Sequence, residues 1–280
     1  VVDLLIDKLA QAGAPIEVLK LHHTPDGSFP NGIPNPMIEA NRTATQQAVL
    51  ENKADLGIAF DGDFDRCFLF DEYGEFIDGS YVVGMLAQAL LNKYAGESIV
   101  YDPRVIYNTE AVIDEHNGKA VISKSGHSFI KQVMRDSGAV YGGEMSAHHY
   151  FRDFFYCDSG MIPWLLTIEL LSITGKTLSE VVSGYIAAYP SSGELNFHLT
   201  THDAPAIISA IEEKFGAENP TKSMLDGLSL NFGEWRFNLR ASNTEPLIRL
   251  NIESRGDKDL LQTKTQEIQQ WLASKGAVPA

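Results

Sequence analysis

The stretch Leu56-Gly-Ile-Ala-Phe-Asp-Gly-Asp-Phe-Asp-Arg-Cys-Phe-Leu-Phe70 is two short apolar runs separated by an acidic loop. Runs of four or five apolar residues bounded by turn signals read as buried strands. The loop between them, Asp61 to Arg66, sets carboxylates at alternate positions: Asp61, Asp63 and Asp65. In a tight loop, alternation can aim all three at one point. Three hard oxygen ligands suit Mg²⁺, which keeps positions open for water or phosphate. Without a cation, like charges this close repel. Gly62 is expected to let the backbone bend sharply. An EF-hand also begins D-x-D-x-D, but its sixth position requires Gly where Arg66 stands. A solvated acidic turn is the other reading; the apolar flanks favour a rigidly held metal loop.

Outward from this loop, the chain divides into three units. Upstream, Val1 to Ala10 reads as an amphipathic helix with Val1, Leu4, Leu5 and Leu9 on one face and no N-cap. Pro15 to Leu21 reads as a strand, residues 24–36 as a Pro/Gly/Asn-rich loop, and Thr43 to Lys53 as a helix. From Phe76, strands Ser98–Tyr101, Ala120–Ile122 and Ala139–Tyr141 alternate with helices Tyr81–Tyr94, Tyr107–Glu115 and Ser128–Asp136. Two longer helices follow, Gly160–Thr174 and Leu178–Tyr189. This alternation predicts βαβ units and a mainly parallel sheet. From about residue 188 the pattern becomes α+β: strands Glu194–Leu199, Leu228–Phe232, Glu234–Leu239 and Leu247–Glu253, with helices Ala204–Phe215 and Lys258–Lys275. The expected units are therefore residues 1–75, 76–187 and 188–280.

Composition narrows the function classes. The 280 residues are 44% hydrophobic, and none of their apolar runs approaches the ~20 residues of a membrane span. A net charge of −15 argues against nucleic acid or an anionic membrane as partner, but not against a small anion held by local cations. Cys67 and Cys157 lie in apolar or aromatic settings and read as reduced thilos of a cytoplasmic protein.

Three further loops carry chemistry. Arg240-Ala-Ser-Asn-Thr-Glu-Pro246 lies between two strands. Arg240 offers a planar fork of donors for phosphate, Ser242, Asn243 and Thr244 add hydroxyl and amide donors, and Arg249 follows on the next strand. An ordinary polar turn is the alternative. In Gly142-Gly-Glu-Met-Ser-Ala-His-His149, Glu144, Ser146 and His148 alternate and share one side of an extended loop, where a carboxylate beside a hydroxyl can chelate sugar hydroxyls. Lys124-Ser-Gly-His-Ser-Phe129 follows a strand and opens a helix, so Lys124 and His127 can face an anion at a helix N-terminus. A capping or packed histidine is an equal reading for His127. Asp102-Pro-Arg104 ends another parallel strand, which puts Arg104 at the ligand-binding edge of a sheet.

The motifs DGDFDR, KSGHS, GEMSAHH and RASNTEPLIR occur in that order. Together they resemble the α-D-phosphohexomutase superfamily over essentially the whole chain. The continuation GEMSAHHYFRDF is most similar to the bacterial phosphomannomutase branch. The resemblance implies an α/β enzyme with its site in a central cleft: two mixed or mainly parallel α/β domains, the second and third of the family, then a TATA-box-protein-like α+β domain. It implies interconversion of mannose 6-phosphate and mannose 1-phosphate by phosphoryl transfer, with Mg²⁺ and a hexose 1,6-bisphosphate intermediate. By the same resemblance Asp61, Asp63 and Asp65 hold the metal, and Arg66 lies beside the transferring phosphate. Glu144 and Ser146 bind sugar hydroxyls; His127 and His148 line the cleft. Arg240, Ser242, Asn243 and Thr244 grip the phosphate that is not reacting, with Arg104 and Lys124 among the substrate-binding residues.

The departure is the family's phosphoserine motif, resembling T-A-S-H-N-P, which has no counterpart in these residues. The uncapped start at Val1 then reads as a truncation inside the second domain, and the fragment alone is expected to be inactive. The rival readings are a phosphoglucomutase or dual-specificity phosphohexomutase, and a non-catalytic phosphosugar-binding module.

Overall fold

The computed structural model describes residues 1–200, 203–242 and 246–280. The first unit contains helices α1 (Val2–Gln11) and α2 (Thr43–Asn52) and strands β1 (Gly57–Phe60) and β2 (Cys67–Phe70). The strands pair antiparallel, Gly57 opposite Phe70 and Phe60 opposite Cys67, so the acidic loop is the connection of a hairpin. The expected parallel sheet is not formed here: among the described residues this unit has a two-stranded antiparallel sheet. Pro15 to Lys20 belongs to neither helix nor strand, with Val18 and Leu19 exposed. No described strand pairs with it, and an extended segment without a ladder partner is not a strand. On α1, Leu5 and Leu9 pack against the main core, while Val1 and Leu4 stay exposed.

The middle unit runs α3 (Gly79–Leu91), β3 (Ser98–Tyr101), α4 (Tyr107–Glu115), β4 (Lys119–Ile122), α5 (His127–Ser137), β5 (Tyr141–Gly143), β6 (His149–Phe151), β7 (Cys157–Asp158), α6 (Met161–Thr174) and α7 (Leu178–Ala188). Its sheet has the order β4-β3-β5-β6-β7. The first three strands are parallel, and β6 and β7 add antiparallel. The GEMSAHH segment thus turns the chain back between β5 and β6. Helix α3 is buried on every side except at Gln88, as its nearly continuous apolar sequence requires. The Asp78 carboxylate caps it, accepting from Ser80 N at 2.9 Å.

The third unit comprises β8 (Ser191–Leu199), α8 (Ala204–Gly216), β9 (Thr221–Ser223), β10 (Leu228–Asn231), β11 (Trp235–Ala241), β12 (Leu247–Ser254), α9 (Lys258–Ser274) and β13 (Ala277–Pro279). The sheet order is β13-β8-β12-β11-β10-β9, every pair antiparallel. The two-residue period of a strand divides its side chains. Phe197, Phe237, Leu239, Ile248, Leu250 and Ile252 join Ile207, Ile211, Phe215, Ile268 and Leu272 of the helices in one core.

The opposite face of this sheet is polar and still buried. Arg236 lies opposite Glu253, Asn238 opposite Asn251, and Arg240 opposite Arg249. Arg236 donates to the carbonyls of Pro103 and Arg104 at 2.7 and 3.0 Å, so this face docks on the loop that ends β3. Among the described residues, no helix is long and apolar enough to cross a membrane. Cys67 is buried, Cys157 is half-buried, and both are free thiols.

Candidate functional site

The acidic loop is fixed by close backbone contacts. Gly160, just before α6, donates its N–H to Phe64 O at 3.2 Å. A Cβ at Gly160 would lie 2.5 Å from that same oxygen, so only glycine allows this approach. The sharp bend falls at Phe64, with φ 64°, not at Gly62 as the sequence suggests. A non-glycine residue in the left-handed region is strained, and such strain concentrates at functional loops.

Donor atoms of Asp61, Asp63 and Asp65 all lie within 4.8 Å of one another. Asp61 is buried, and accepts from Arg66 N at 3.2 Å and Arg66 Nε at 2.7 Å. Burial pushes its carboxyl up, but the Arg66 hydrogen bonds outweigh this and hold it below the ordinary value. Asp65 goes the other way: burial, then the Asp61 and Asp63 charges, raise it against the pull of His148. Asp65 Oδ1 is buried without a hydrogen-bond partner among the described residues. This oxygen has an ion-pair contact with Arg66 Nε at 3.7 Å but no hydrogen bond, and beside two further carboxylates it fits a hard divalent cation, which would relieve both the repulsion and the lost solvation.

The GEMSAHH segment forms a tight turn rather than the extended loop expected. Ala147 takes φ 67°, its N–H donates to Glu144 O at 3.0 Å, and Met145 N donates to Asp102 Oδ2 at 2.7 Å. A Cβ on Gly79 would lie 2.1 Å from Met145 O, so α3 begins pressed against this turn. The turn gathers the three alternating side chains. Ser146 Oγ is 3.1 Å from His148 Nδ1, and Glu144 Oε2 is 3.8 Å from the same nitrogen. Arg66 pairs with His148 through the backbone, which joins the turn to the acidic loop. His148 Nε2 then lies 3.5 Å from Asp65 Oδ2.

Glu144 is buried; it accepts from Tyr150 OH at 2.6 Å and from Gly126 N at 2.7 Å. Gly126 caps α5, so Glu144 itself takes the anion position expected at that helix N-terminus. No hydrogen bond or ion pair among the described residues links Lys124 or His127 to the acidic loop or to Glu144. Lys124 lies over the Phe129 ring at 5.1 Å, and His127 is exposed at the start of α5.

Arg104 is buried, not presented at an open sheet edge. Its fork grips Asp102 through Nε at 3.0 Å and Nη2 at 2.7 Å, and Nη2 reaches Ser146 Oγ at 3.3 Å. Burial opposes its charge, but Asp102, Glu144 and Glu194 more than compensate and stabilise the cation. Asp102 is likewise raised by burial and lowered further by Arg104, ending below its ordinary value.

Arg240 Nη2 is 2.8 Å from Glu194 Oε2, and Arg249 Nη1 is 3.5 Å from Glu194 Oε1. Ser242 N donates to Leu247 O at 2.8 Å, which closes the base of the loop. Asn243 and Thr244 lie outside the described residues. Glu194 and Asp102 are components that sequence reasoning did not single out. Asp102 is two residues from Arg104, a usable signal; Glu194 is 46 residues from Arg240 and carries none.

One polar path joins the two ends of the site. It runs from Asp65 through His148 (3.5 Å), Ser146 (3.1 Å), Arg104 (3.3 Å) and Glu194 (3.8 Å) to Arg240 (2.8 Å). Two surface grooves, of about 320 and 620 Å³, lie on the third unit away from this path.

The chain matches known proteins over most of its length. The phosphoglucomutase/phosphomannomutase family matches three times: alpha/beta/alpha domain II over residues 3–74, alpha/beta/alpha domain III over 78–189, and the C-terminal domain over 194–270. The chain belongs to this family. A phosphomannomutase of Salmonella montevideo is 56% identical over 98% of the chain and 60% of its own length. A protein of Xanthomonas campestris pv. campestris (strain B100) described as phosphohexose mutases is 54% identical over 96% of the chain and 59% of its own length. A crystal structure of a phosphoglucomutase/phosphomannomutase family protein from Burkholderia thailandensis superposes with a TM-score of 0.81 at 26% identity, over 99% of this chain and 59% of that one. The chain thus spans about three-fifths of the length of the curated relatives it matches.

Proposed function

We propose that this chain supplies the metal, sugar and phosphate sites of a phosphomannomutase, which interconverts mannose 6-phosphate and mannose 1-phosphate. The observation that carries the reading is the continuous path from Asp65 to Arg240, with a cation-binding corner at one end and an arginine grip at the other. A phosphosugar with a phosphate at each end in turn needs both. Relatives above 50% identity named phosphomannomutase support the choice of sugar.

In the proposed reaction an enzyme phosphoserine gives its phosphoryl group to the free hydroxyl of the hexose monophosphate. The resulting 1,6-bisphosphate turns end for end, and the other phosphate returns to the serine. Catalysis of this kind is positioning and charge neutralisation. Mg²⁺ bound by Asp61, Asp63 and Asp65 would offset charge on the transferring group. Arg66, held by Asp61, lies beside that group. Glu144 and Ser146 orient the sugar through its hydroxyls, with His148 between them and the acidic loop. Arg240, Ser242, Asn243 and Thr244 hold the phosphate that is not reacting. Arg104 acts on the substrate by setting Ser146; Lys124 and His127 complete the cleft wall from the start of α5. We assign residues 1–75, 76–187 and 188–280 as the functional units, the last of the TATA-box-protein-like class, in a cytoplasmic protein whose thiols stay reduced.

The second reading, activity on both glucose and mannose phosphates, draws on the phosphohexose mutases at 54% identity. The test is titration calorimetry of this chain with mannose 1-phosphate and mannose 6-phosphate in Mg²⁺, beside coupled turnover assays of the whole protein with mannose and glucose 1-phosphates. Binding of both mannose esters is expected. A chain that bound neither would end the mutase reading; equal turnover of both sugars would favour dual specificity.

A further inference from the structure

On the polar face of the third sheet, Arg240 and Arg249 lie directly opposite each other on β11 and β12. Like charges in that register repel. The carboxylate of Glu194, from the neighbouring β8, sits between them: 2.8 Å from Arg240 Nη2 and 3.5 Å from Arg249 Nη1. It also reaches Arg104 Nη1 of the middle unit, at 3.8 Å. One largely buried monoanion is therefore shared by three guanidinium groups. None of these contacts is the two-pronged kind that Asp102 makes with Arg104. Arg240 Nε, buried, has no hydrogen-bond partner among the described residues. The Arg240 fork is thus half used by its present anion.

We propose that Glu194 is a positioning residue that sets the affinity of the phosphate grip: its carboxylate holds the place of a phosphate between Arg240 and Arg249 and yields it to the substrate. This rests on the mutase reading and deepens it at the phosphate subsite. A phosphate dianion carries more charge than a carboxylate, and its three oxygens can use both Arg240 Nη2 and the unpartnered Nε. Displaced from Arg240, Glu194 keeps Arg104 as its counter-ion. The arginine pair stays oriented without substrate, and binding is weakened because every incoming phosphate must displace a resident anion. A grip of intermediate strength suits a step in which the bisphosphate has to let go and turn.

The experiment is calorimetric titration of this chain with inorganic phosphate and with mannose 6-phosphate, in wild type, Glu194→Gln, Glu194→Asp and Arg240→Ala. Glu194→Gln keeps the side-chain shape and removes the charge; its Kd for phosphate should fall by about tenfold. Glu194→Asp draws the carboxylate back by one methylene, and should also bind phosphate more tightly than wild type, which covers the case of a Gln variant that fails to fold. A merely structural role predicts weaker binding in both. Unchanged or weaker phosphate binding in whichever variant folds overturns the proposal. Loss of phosphosugar binding in Arg240→Ala upholds the mutase reading even then, so the two can fail separately. If wild type and variants alike bind neither probe, both fall together.

Discussion

Glu253, near the end of β12, accepts hydrogen bonds from the backbone N–H groups of Ile106 and Tyr107, at 2.8 and 2.9 Å. A carboxylate of the third unit thereby caps α4 of the middle unit, where the helix dipole favours a negative charge. Its Oε1 also takes Arg236 Nη1 at 2.7 Å, and both side chains are almost wholly buried. Arg236 in turn holds the carbonyls of Pro103 and Arg104. Removing one member of a buried pair leaves the other charge uncompensated. Glu253→Ala should therefore cost about 3–5 kcal/mol. Urea unfolding followed by tryptophan fluorescence would measure it, and a loss below 1 kcal/mol would contradict this account.

The metal corner predicts a separation of binding from stability. Asp63 is exposed and Asp61 is buried against Arg66. Asp63→Asn should leave thermal stability within about 0.5 kcal/mol of wild type, as surface substitutions do. The same change should abolish Mg²⁺ binding and the metal-dependent turnover proposed for the whole protein. Calorimetry with MgCl₂ is the direct check; undiminished Mg²⁺ affinity would remove Asp63 from the ligand set.

At the other end, Arg240→Ala removes a charged hydrogen-bond donor from the phosphate loop. It should weaken both mannose 1-phosphate and mannose 6-phosphate by about 1.5–3 kcal/mol. The equality matters more than the size, because a bisphosphate that turns end for end presents each phosphate to this loop. A variant that lost affinity for one ester alone would show that the grip serves a single orientation.

The sequence makes the middle and third units legible because their periods are clean. Strand Ser98–Tyr101 and helix Tyr107–Glu115 of the middle unit, and the start of the third unit's helix at Ala204, fall where the apolar pattern puts them. The acidic loop is legible because alternation, glycine and apolar flanks coincide in fifteen consecutive positions. What escaped was set by partners distant in the chain. Pro15–Leu21 has the composition of a strand but, among the described residues, no neighbour with which it forms a ladder. β9 and β13, three residues each, exist because longer strands offer them an edge. On β11 and β12 the polar residues look solvent-facing, since alternation ordinarily puts water on that side. The middle unit covers them instead, and this turns Arg236, Glu253 and Glu194 from surface charges into structural ones. At Arg104 the strand-end position suggests a ligand contact, but Asp102, two residues away, takes its fork.

His149 supplies a prediction about acid. It is fully buried beside the GEMSAHH turn, with Nδ1 2.7 Å from Tyr141 OH and its ring stacked on that tyrosine. Burial first, then the neighbouring His148, push its pKa down from 6.5 to about 3. Folded protein therefore keeps this imidazole neutral where the unfolded chain would protonate it. Between pH 6.5 and about 3 the unfolded state binds the extra proton, so the group favours unfolding increasingly as pH falls through that window. Above pH 6.5 its contribution is flat, because the ring is neutral in both states. The slope from this one group approaches about 1.4 kcal/mol per pH unit in the middle of the window. His149→Phe preserves the stack on Tyr141 and removes the titration. Denaturant midpoints at pH 7, 6, 5 and 4 should show the variant losing less stability than wild type at each acid step. Parallel curves for the two proteins would mean that His149 takes up its proton without unfolding.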